Sequence, residues 1–409
     1  MDSSVSKRTR LTRGTTIGRI VFLLWVLTVT GVCTRVALTR TPGRQDVFPV
    51  YQNAGQCWLA GQDLYHHAKF DYRYSPTFAA ALAPAALLSP KLGSIAWRLL
   101  SIGIFLTALA WTGRVGIPDK FAREGRPFIF LFVLPLALGN LNNGQANLSV
   151  IGALLASIAA VTCDRWSFAA VALVAAASIK LYPLVFALLL VLVFPRKLGW
   201  RGALCLAVAA GLPFLFQRPD YVARQCHHWF QYLQTEDRSG RPLSEWYSDL
   251  RLLFRVWLVP LSTTGYLIIQ IASGTALAGL AVWGRLQGWP RPNLLGWLLS
   301  LTCCWMTVLG PATESSTYVL IAPAVAWITS ELVLLGGRLH EWIWATLIYG
   351  LQLLAGISGW FGGMKRFGIY FSPLALSALL LVAYLLRPAV FRRMNALASA
   401  GDTIDHKLT

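Results

Sequence analysis

Ile17-Gly18-Arg19-Ile20-Val21-Phe22-Leu23-Leu24-Trp25-Val26-Leu27-Thr28-Val29-Thr30-Gly31-Val32-Cys33-Thr34-Arg35-Val36-Ala37-Leu38-Thr39, followed by Asp46-Val47-Phe48-Pro49-Val50-Tyr51, is the stretch that decides the fold. At about 1.5 Å per residue the first run is long enough to cross a hydrocarbon core of about 30 Å. Its basic lead-in, Lys7, Arg8, Arg10 and Arg13, resembles that of a signal peptide. The apolar part is too long for a signal core and no small-residue cleavage site follows, so it reads as a retained first span. The polar stretch beyond it continues through Gly61-Gln62-Asp63-Leu64-Tyr65 to Tyr72-Arg73-Tyr74-Ser75-Pro76. Two helices can be joined without such an acidic and aromatic loop, so this is where chemistry is expected, at one face of a membrane.

The rest of the chain agrees with that beginning. Of 409 residues 56% are hydrophobic and only 13% charged, and the mean hydropathy is +0.55. A soluble chain of this length needs more charge to cover its surface. Apolar runs recur throughout, which predicts an all-α polytopic membrane protein of about twelve transmembrane helices. They centre on 17–39, 76–89, 92–112, 127–140, 145–161, 168–194, 201–216, 262–284, 293–311, 316–335, 341–358 and 367–386. Residues 1–409 form a single integral membrane domain with outer loops at 40–75 and 217–261. The runs 76–89 and 127–140 are short enough to be half-helices. The 17 Trp suit positions at bilayer interfaces.

The formal net charge of +19 does not mark a nucleic-acid binder, because the basic residues lie in short loops between apolar runs. It follows the positive-inside rule. Basic clusters at both ends, with Arg387, Arg392 and Arg393 at the second, place both termini in the cytoplasm. Alternation then puts Arg196, Lys197, Arg201, Arg285, Arg291 and Arg338 inside. It also puts 140–147 inside and 113–126 outside, although Arg114, Lys120, Arg123 and Arg126 argue against the latter. In the second outer loop Trp229, Tyr232, Trp246 and Tyr247 among charges suggest amphipathic helices lying in the headgroup plane. The 7 Cys show no metal-ligand spacing.

A carboxylate at the water-facing end of a span can accept a proton from an acceptor hydroxyl. Asp46 has that position, with Asp63 and Asp71 as rivals in the same loop. Lys180 lies within an apolar run, where a lysine costs about 2.5–3.5 kcal/mol and should face a cavity or a partner. It either binds an anionic donor phosphate, pairs with a neighbour such as Asp164, or snorkels to an interface. Pro183 would break the helix beside it. The cluster Asn140, Asn142, Asn143, Gly144, Gln145 and Asn147 reads as a turn satisfying helix ends, or as a hydrogen-bonding surface for substrate. Arg73, Arg218, Arg224, Arg251 and Arg255 could clamp a phosphate or anchor to headgroups. Glu314 and Tyr318, after Pro311, are candidate acceptor-lining residues. His66, His67, His227 and His228 are where a divalent metal could sit. Adjacent histidines rarely point the same way and no carboxylate spacing reinforces them, so no cofactor is expected. No nucleotide-binding fingerprint is present, which suits a lipid-phosphate donor better than a nucleotide sugar.

Four stretches carry a family resemblance. They are Asp46-x-Phe48-x-x-Tyr51 with Gly61-x-Asp63-Leu64-Tyr65; Tyr72-x-Tyr74-x-Pro76 with Pro84, Pro90 and Trp97; Asn143-Gly144-Gln145-x-Asn147-Leu148; and Ile179-Lys180-Leu181-x-Pro183. In order and spacing over roughly 17–200 they resemble glycosyltransferase family 87, polyprenyl-phosphate-mannose-dependent mannosyltransferases of the C-type glycosyltransferase (GT-C) fold. The later half is similar only in hydropathy and in Pro311 to Tyr318, where Thr313-Glu314-Ser315 stands in place of the histidine the family often carries. The resemblance implies a transmembrane transferase of the plasma membrane. It would move a hexose, expected to be mannose, from a polyprenyl-phosphate donor to a lipid or glycan hydroxyl at the outer face, with inversion. It implies Asp46 as the base; the reading of the residues puts Lys180 and Arg73 on the donor phosphate, and Tyr51, Asp63, Tyr65, Tyr74, Asn143, Gln145, Glu314 and Tyr318 toward substrate. A lipid-linked-sugar flippase or transporter is the alternative, although no inverted repeat is visible. A non-catalytic membrane subunit is another.

Overall fold

A computed structural model describes residues 2–39, 46–65, 72–116, 119–235, 238, 240–360 and 365–405, and every regular element among these is helical. Asp71, His66 and His67, singled out above, lie outside the described residues. The first helix, α1 (Asp2–Leu38), is followed by a short hairpin of α2 (Phe48–Ala60) and α3 (Pro76–Ala86). Proline opens each member of the hairpin, where its missing N–H costs nothing. Ser75 caps α3 by accepting the Phe78 N–H at 3.1 Å. Four helices follow: α4 (Pro90–Val115), α5 (Asp119–Asn143), α6 (Asn147–Thr162) and α7 (Trp166–Ile179).

Contacts between these helices fix their directions. α1 runs parallel to α5, with Trp25 Nε1 donating to Phe130 O at 3.0 Å and Arg35 Nη2 to Asn142 O at 3.0 Å. α4 starts where α1 ends, since Lys91 Nζ donates to Ala37 O at 2.7 Å. It finishes where α5 begins, since Arg126 Nε donates to Gly113 O at 3.0 Å. α4 and α6 are parallel and packed close, through Ser149 and Ser101 (3.1 Å) and Thr112 to Leu155 O (3.0 Å). At Gly152 any Cβ would come within 3.0 Å of Phe105 N, so a small residue is what lets the two backbones approach.

Two sequence expectations are corrected at this point. Residues 168–194 are not one span. α7 stops at Lys180, whose backbone is extended, and α8 (Leu184–Val193) turns back. Phe194 therefore packs on Trp166, where α7 began, with ring centroids 5.4 Å apart. Pro183 causes the turn, because it cannot continue the α7 hydrogen-bond ladder and restricts Tyr182 before it. Residues 76–89 are not a pass either, because α3 pairs with α2 at the first-loop end. As a result, the segment around 140–147 lies with Asp46 at that end, and 113–126 joins the opposite, basic end. Hydropathy measures apolar length but not direction; the two errors together remove two crossings from the count, and their effects on sidedness cancel from residue 195 onward.

α9 (Pro195–Gly211) returns to the first-loop end, where Thr77 Oγ1 donates to Ala209 O at 3.3 Å. Beyond it α10 (Pro213–Phe216), the amphipathic α11 (Pro219–Thr235) and α12 (Leu250–Trp257) lie across that end. α13 (Thr263–Leu286) descends and α14 (Arg291–Val308) climbs from the ion pair of Arg291 with Asp164 at 2.8 Å. A 3-10 helix, Ser315–Ile321, leads into α15 (Ala322–Leu335); then come α16 (Leu339–Trp360), α17 (Lys365–Phe371), α18 (Pro373–Leu385) and α19 (Pro388–Asp405). α19 is held at the basic end by Arg393 on Glu331 (2.6 Å) and by Trp289 on Asn395 (2.7 Å).

Among the described residues, seven helices are long and apolar enough to cross a bilayer: Thr16–Leu38, Pro90–Val115, Gly125–Asn143, Pro195–Phe216, Thr263–Leu286, Ser315–Leu335 and Gly368–Leu385. Several carry exposed leucine, isoleucine and phenylalanine on their outer faces, Phe22, Leu27, Leu204 and Ile268 among them. Such a surface suits lipid better than water. α7 and α8 are short, at 14 and 10 residues, or about 21 and 15 Å. Their turn therefore stops inside the bundle.

Cys163 tests this connectivity, because span alternation by hydropathy puts it on the opposite side from Arg196, whereas the structure puts both at the basic end. In a background lacking the other six cysteines, exposed Cys163 should react with a membrane-impermeant maleimide from the same side as Arg196→Cys. Ser244→Cys should react only from the other.

Candidate active site

Arg98 and Asp46 form the first ionic centre at the first-loop end. Arg98 sits in apolar α4 with its side chain fully buried. Its Nε donates to Leu141 O at 3.1 Å, Nη1 to Ser94 O (3.2 Å) and to Ser94 Oγ, and Nη2 to Asn142 O at 2.9 Å. Nη2 also meets Asp46 Oδ1 at 3.0 Å. All five guanidinium N–H groups are thereby used. Leu141 and Asn142 are carbonyls from the open end of α5, so the arginine also serves as its C-terminal cap. Gly144 follows with φ +66°, and a Cβ there would stand 3.2 Å from the guanidinium carbon. Trp97 Nε1 closes the turn onto Gly144 O at 2.8 Å.

Asp46 is thus held between two helices. Its Oδ1 accepts the Phe48 N–H at 3.1 Å, opening α2, while Val47 N donates to Asn143 O at 3.0 Å. The side chain is 10% exposed, so it does not point into bulk water. Sequence reasoning missed Arg98. The signal was available, since a charge inside the run 92–112 demands a partner for the same reason as Lys180.

A second centre lies across the loop from the first. Arg73 Nη1 meets Glu314 Oε1 at 3.2 Å and Tyr247 Oη at 3.4 Å. These three residues come from the first loop, the turn after α14 and the second loop. Lys180, half-buried at the α7–α8 turn, places Nζ 5.7 Å from the Tyr74 ring centroid and 5.6 Å from that of Tyr182. Its charged neighbours are Glu314 and Arg73. A pairing of Lys180 with Asp164 is therefore excluded, because Asp164 is bound to Arg291 at the other end. Arg73 is 23% exposed and Glu314 41%, so this centre is open to water and the first is not.

Tyrosine and asparagine side chains join the two centres. Tyr51 Oη bonds Tyr74 Oη at 2.9 Å and accepts the Ala146 N–H at 3.1 Å. Tyr65 Oη donates to Tyr74 O at 2.8 Å. Below Lys180, Tyr182 Oη donates to Asn147 Oδ1 at 3.1 Å. Asn147 Nδ2 reaches Asn140 Oδ1 and Ser316 Oγ, both at 3.3 Å. The asparagine cluster is a turn, as one of its two readings had it, and its side chains bond one another and their neighbours.

Several residues expected to face substrate carry structural contacts. Tyr51 is fully buried with its hydroxyl committed. Tyr318 is buried and donates to Ser248 O at 2.6 Å, which ties down the second loop. Asn143 contributes its carbonyl to Val47 and its Oδ1 to Asn142 Nδ2. Gln145 is buried, its N–H bonded to Asn140 O at 3.0 Å. Asp63 caps Tyr65 N at 2.8 Å and meets His228 Nδ1 at 2.7 Å, which fastens α11 to the first loop. Tyr74, Arg73, Lys180 and Glu314 remain together around the open centre.

Asp249 supports the turn that carries Glu314. It caps α12 through Leu252 N at 3.1 Å, and the adjacent Ser248 N donates to Thr313 O at 2.8 Å. Burial pushes its carboxyl up to about 6, against the pull of the Leu252 N–H and Arg251. The folded value lies above the ordinary 3.8, so the native state binds the proton more tightly than the unfolded chain. The stability associated with this proton is complete below about pH 4 and is lost as pH rises through about 6. Asp249→Asn should keep the cap and remove that slope. Thermal unfolding in detergent between pH 4 and 7 should give a flatter profile for the variant than for wild type.

No curated protein matches the chain. Residues 72–311 match glycosyltransferase family 87, a stretch that includes Arg73, Tyr74, Arg98, Asn147 and Lys180. With that match covering more than half of its length, the chain belongs to glycosyltransferase family 87.

Proposed function

We propose that this membrane glycosyltransferase takes mannose from a polyprenyl-phosphate donor and transfers it to a lipid or glycan hydroxyl at the outer face of the plasma membrane. On this reading the bundle is of GT-C type, with about ten full crossings beside the half-length α7–α8 hairpin, and the basic end, carrying both termini, faces the cytoplasm. The observation that carries the proposal is the convergence of Arg73 and Lys180, from separate elements, on one exposed centre lined by Tyr74 and Tyr182. Two cations beside apolar helices suit a phosphate whose carrier stays in the lipid. The neutral tyrosine rings suit a sugar.

The chemistry follows from charge. The acceptor oxygen forms a bond to the anomeric carbon while the bond from that carbon to the phosphate oxygen breaks. The electron pair leaves with the phosphate, and the acceptor's proton goes to a carboxylate. Asp46 is the proposed base, oriented by Arg98 and by the Phe48 N–H. Lys180 and Arg73 stabilise the charge that grows on the phosphate. Inversion at the anomeric carbon is what direct attack would produce.

The test is transfer of radiolabelled mannose from polyprenyl-phosphate mannose in membranes, with thermal midpoints as a control for folding. Asp46→Asn should lower turnover by about 100-fold or more. Lys180→Met and Arg73→Gln should raise KM for the donor and lower kcat as well. Full activity in Asp46→Asn would remove the proposed base. Donor movement across the bilayer without a new glycosidic product would favour a flippase instead.

A further inference from the structure

Glu314 brings a negative charge into a site otherwise suited to binding one. Its Oε1 lies 3.2 Å from Arg73 Nη1, and Lys180 is also within its electrostatic reach. A carboxylate there competes with an incoming phosphate for the same donors, so its presence calls for a physical reason. The backbone around it is firmly held. Ala312 has φ +54°, Ser248 N donates to Thr313 O at 2.8 Å, and Thr317 N donates to Glu314 O at 2.9 Å. The side chain itself is 41% exposed.

We infer that Glu314 is the internal counter-ion of the phosphate seat, and that its charge drives release of the spent lipid carrier. The inference rests on the donor-phosphate reading above. Arg73 and Lys180 attract an anion, and Glu314 beside Arg73 repels it. A sugar phosphodiester has one negative charge. Transfer breaks the sugar–oxygen bond and leaves a phosphomonoester, whose second pKa of about 6 makes it a dianion at pH 7. Once transfer is complete, Glu314 repels a doubled charge. The carboxylate therefore penalises product more than substrate, because only the product carries the second charge.

The measurement is the donor KM and the inhibition constant of polyprenyl phosphate, using full-length protein in detergent at pH 7.5. Glu314→Gln should tighten inhibition by about tenfold and lower KM by much less, so the ratio of inhibition constant to KM falls. Glu314→Asp should stay near the wild-type ratio. Raising ionic strength should narrow the gap between Gln and wild type. An unchanged ratio in Glu314→Gln overturns the inference. So does a single-turnover rate about 100-fold down in that variant, since Glu314 would then belong to the chemical step. If Lys180→Met and Arg73→Gln both keep the wild-type KM, the phosphate seat itself is wrong, whatever Glu314→Gln does.

Discussion

A guanidinium buried inside an apolar bundle dominates the architecture of the first-loop end. Moving such an ion out of water costs several kcal/mol even after relaxation, and the cost is recovered only if every donor finds an acceptor. Arg98 meets that condition by drawing in the open carbonyls of α5, the start of its own helix and the carboxylate of Asp46. Three chain segments far apart in sequence are thereby fixed at one point. Trp97, Gly144 and Tyr51 pack around the same turn. The start of α2 is held rigidly because that arginine leaves Asp46 few alternatives.

This rigidity gives the second centre its character. Arg73, Lys180 and Glu314 lie on segments each tied to a fixed neighbour: Trp229 holds the Arg73 carbonyl, Ser75 the end of α7, and Ser248 the Glu314 turn. The side chains themselves stay partly exposed. The two ionic centres differ in access, Arg98 and Asp46 being nearly closed and Arg73 and Glu314 more open, with the Tyr51–Tyr74 hydroxyl pair between them.

The short α7–α8 hairpin is the other consequential feature. Two half-length helices bring a lysine to the inner side of the first-loop end, where a full span would have carried it through. Backbone freed at the turn lines protein rather than lipid, which is where irregular structure inside a membrane protein is tolerated. Tyr182 and Asn147 use that opening to extend a polar floor beneath Lys180.

Helical class and membrane character were legible in the sequence, because each depends on local composition and apolar length. Lys180 was legible too, since an intramembrane charge is costly wherever it sits, and Arg98 would have been found by applying that argument evenly. Direction was not legible. Nothing local separates a span that crosses from one that turns back at Pro183, or an apolar run that crosses from one that pairs with its neighbour, as 76–86 does. The partners of the charges were hidden for the same reason. Asp46 with Arg98 and Arg73 with Glu314 are separated by 52 and 241 residues, and only the packing of helices against one another brings each pair within reach. The sequence by itself determined which residues carry charge into an apolar bundle. Tertiary structure decided which of those charges meet, because Coulomb attraction at 3 Å depends on distance in space and is indifferent to distance along the chain.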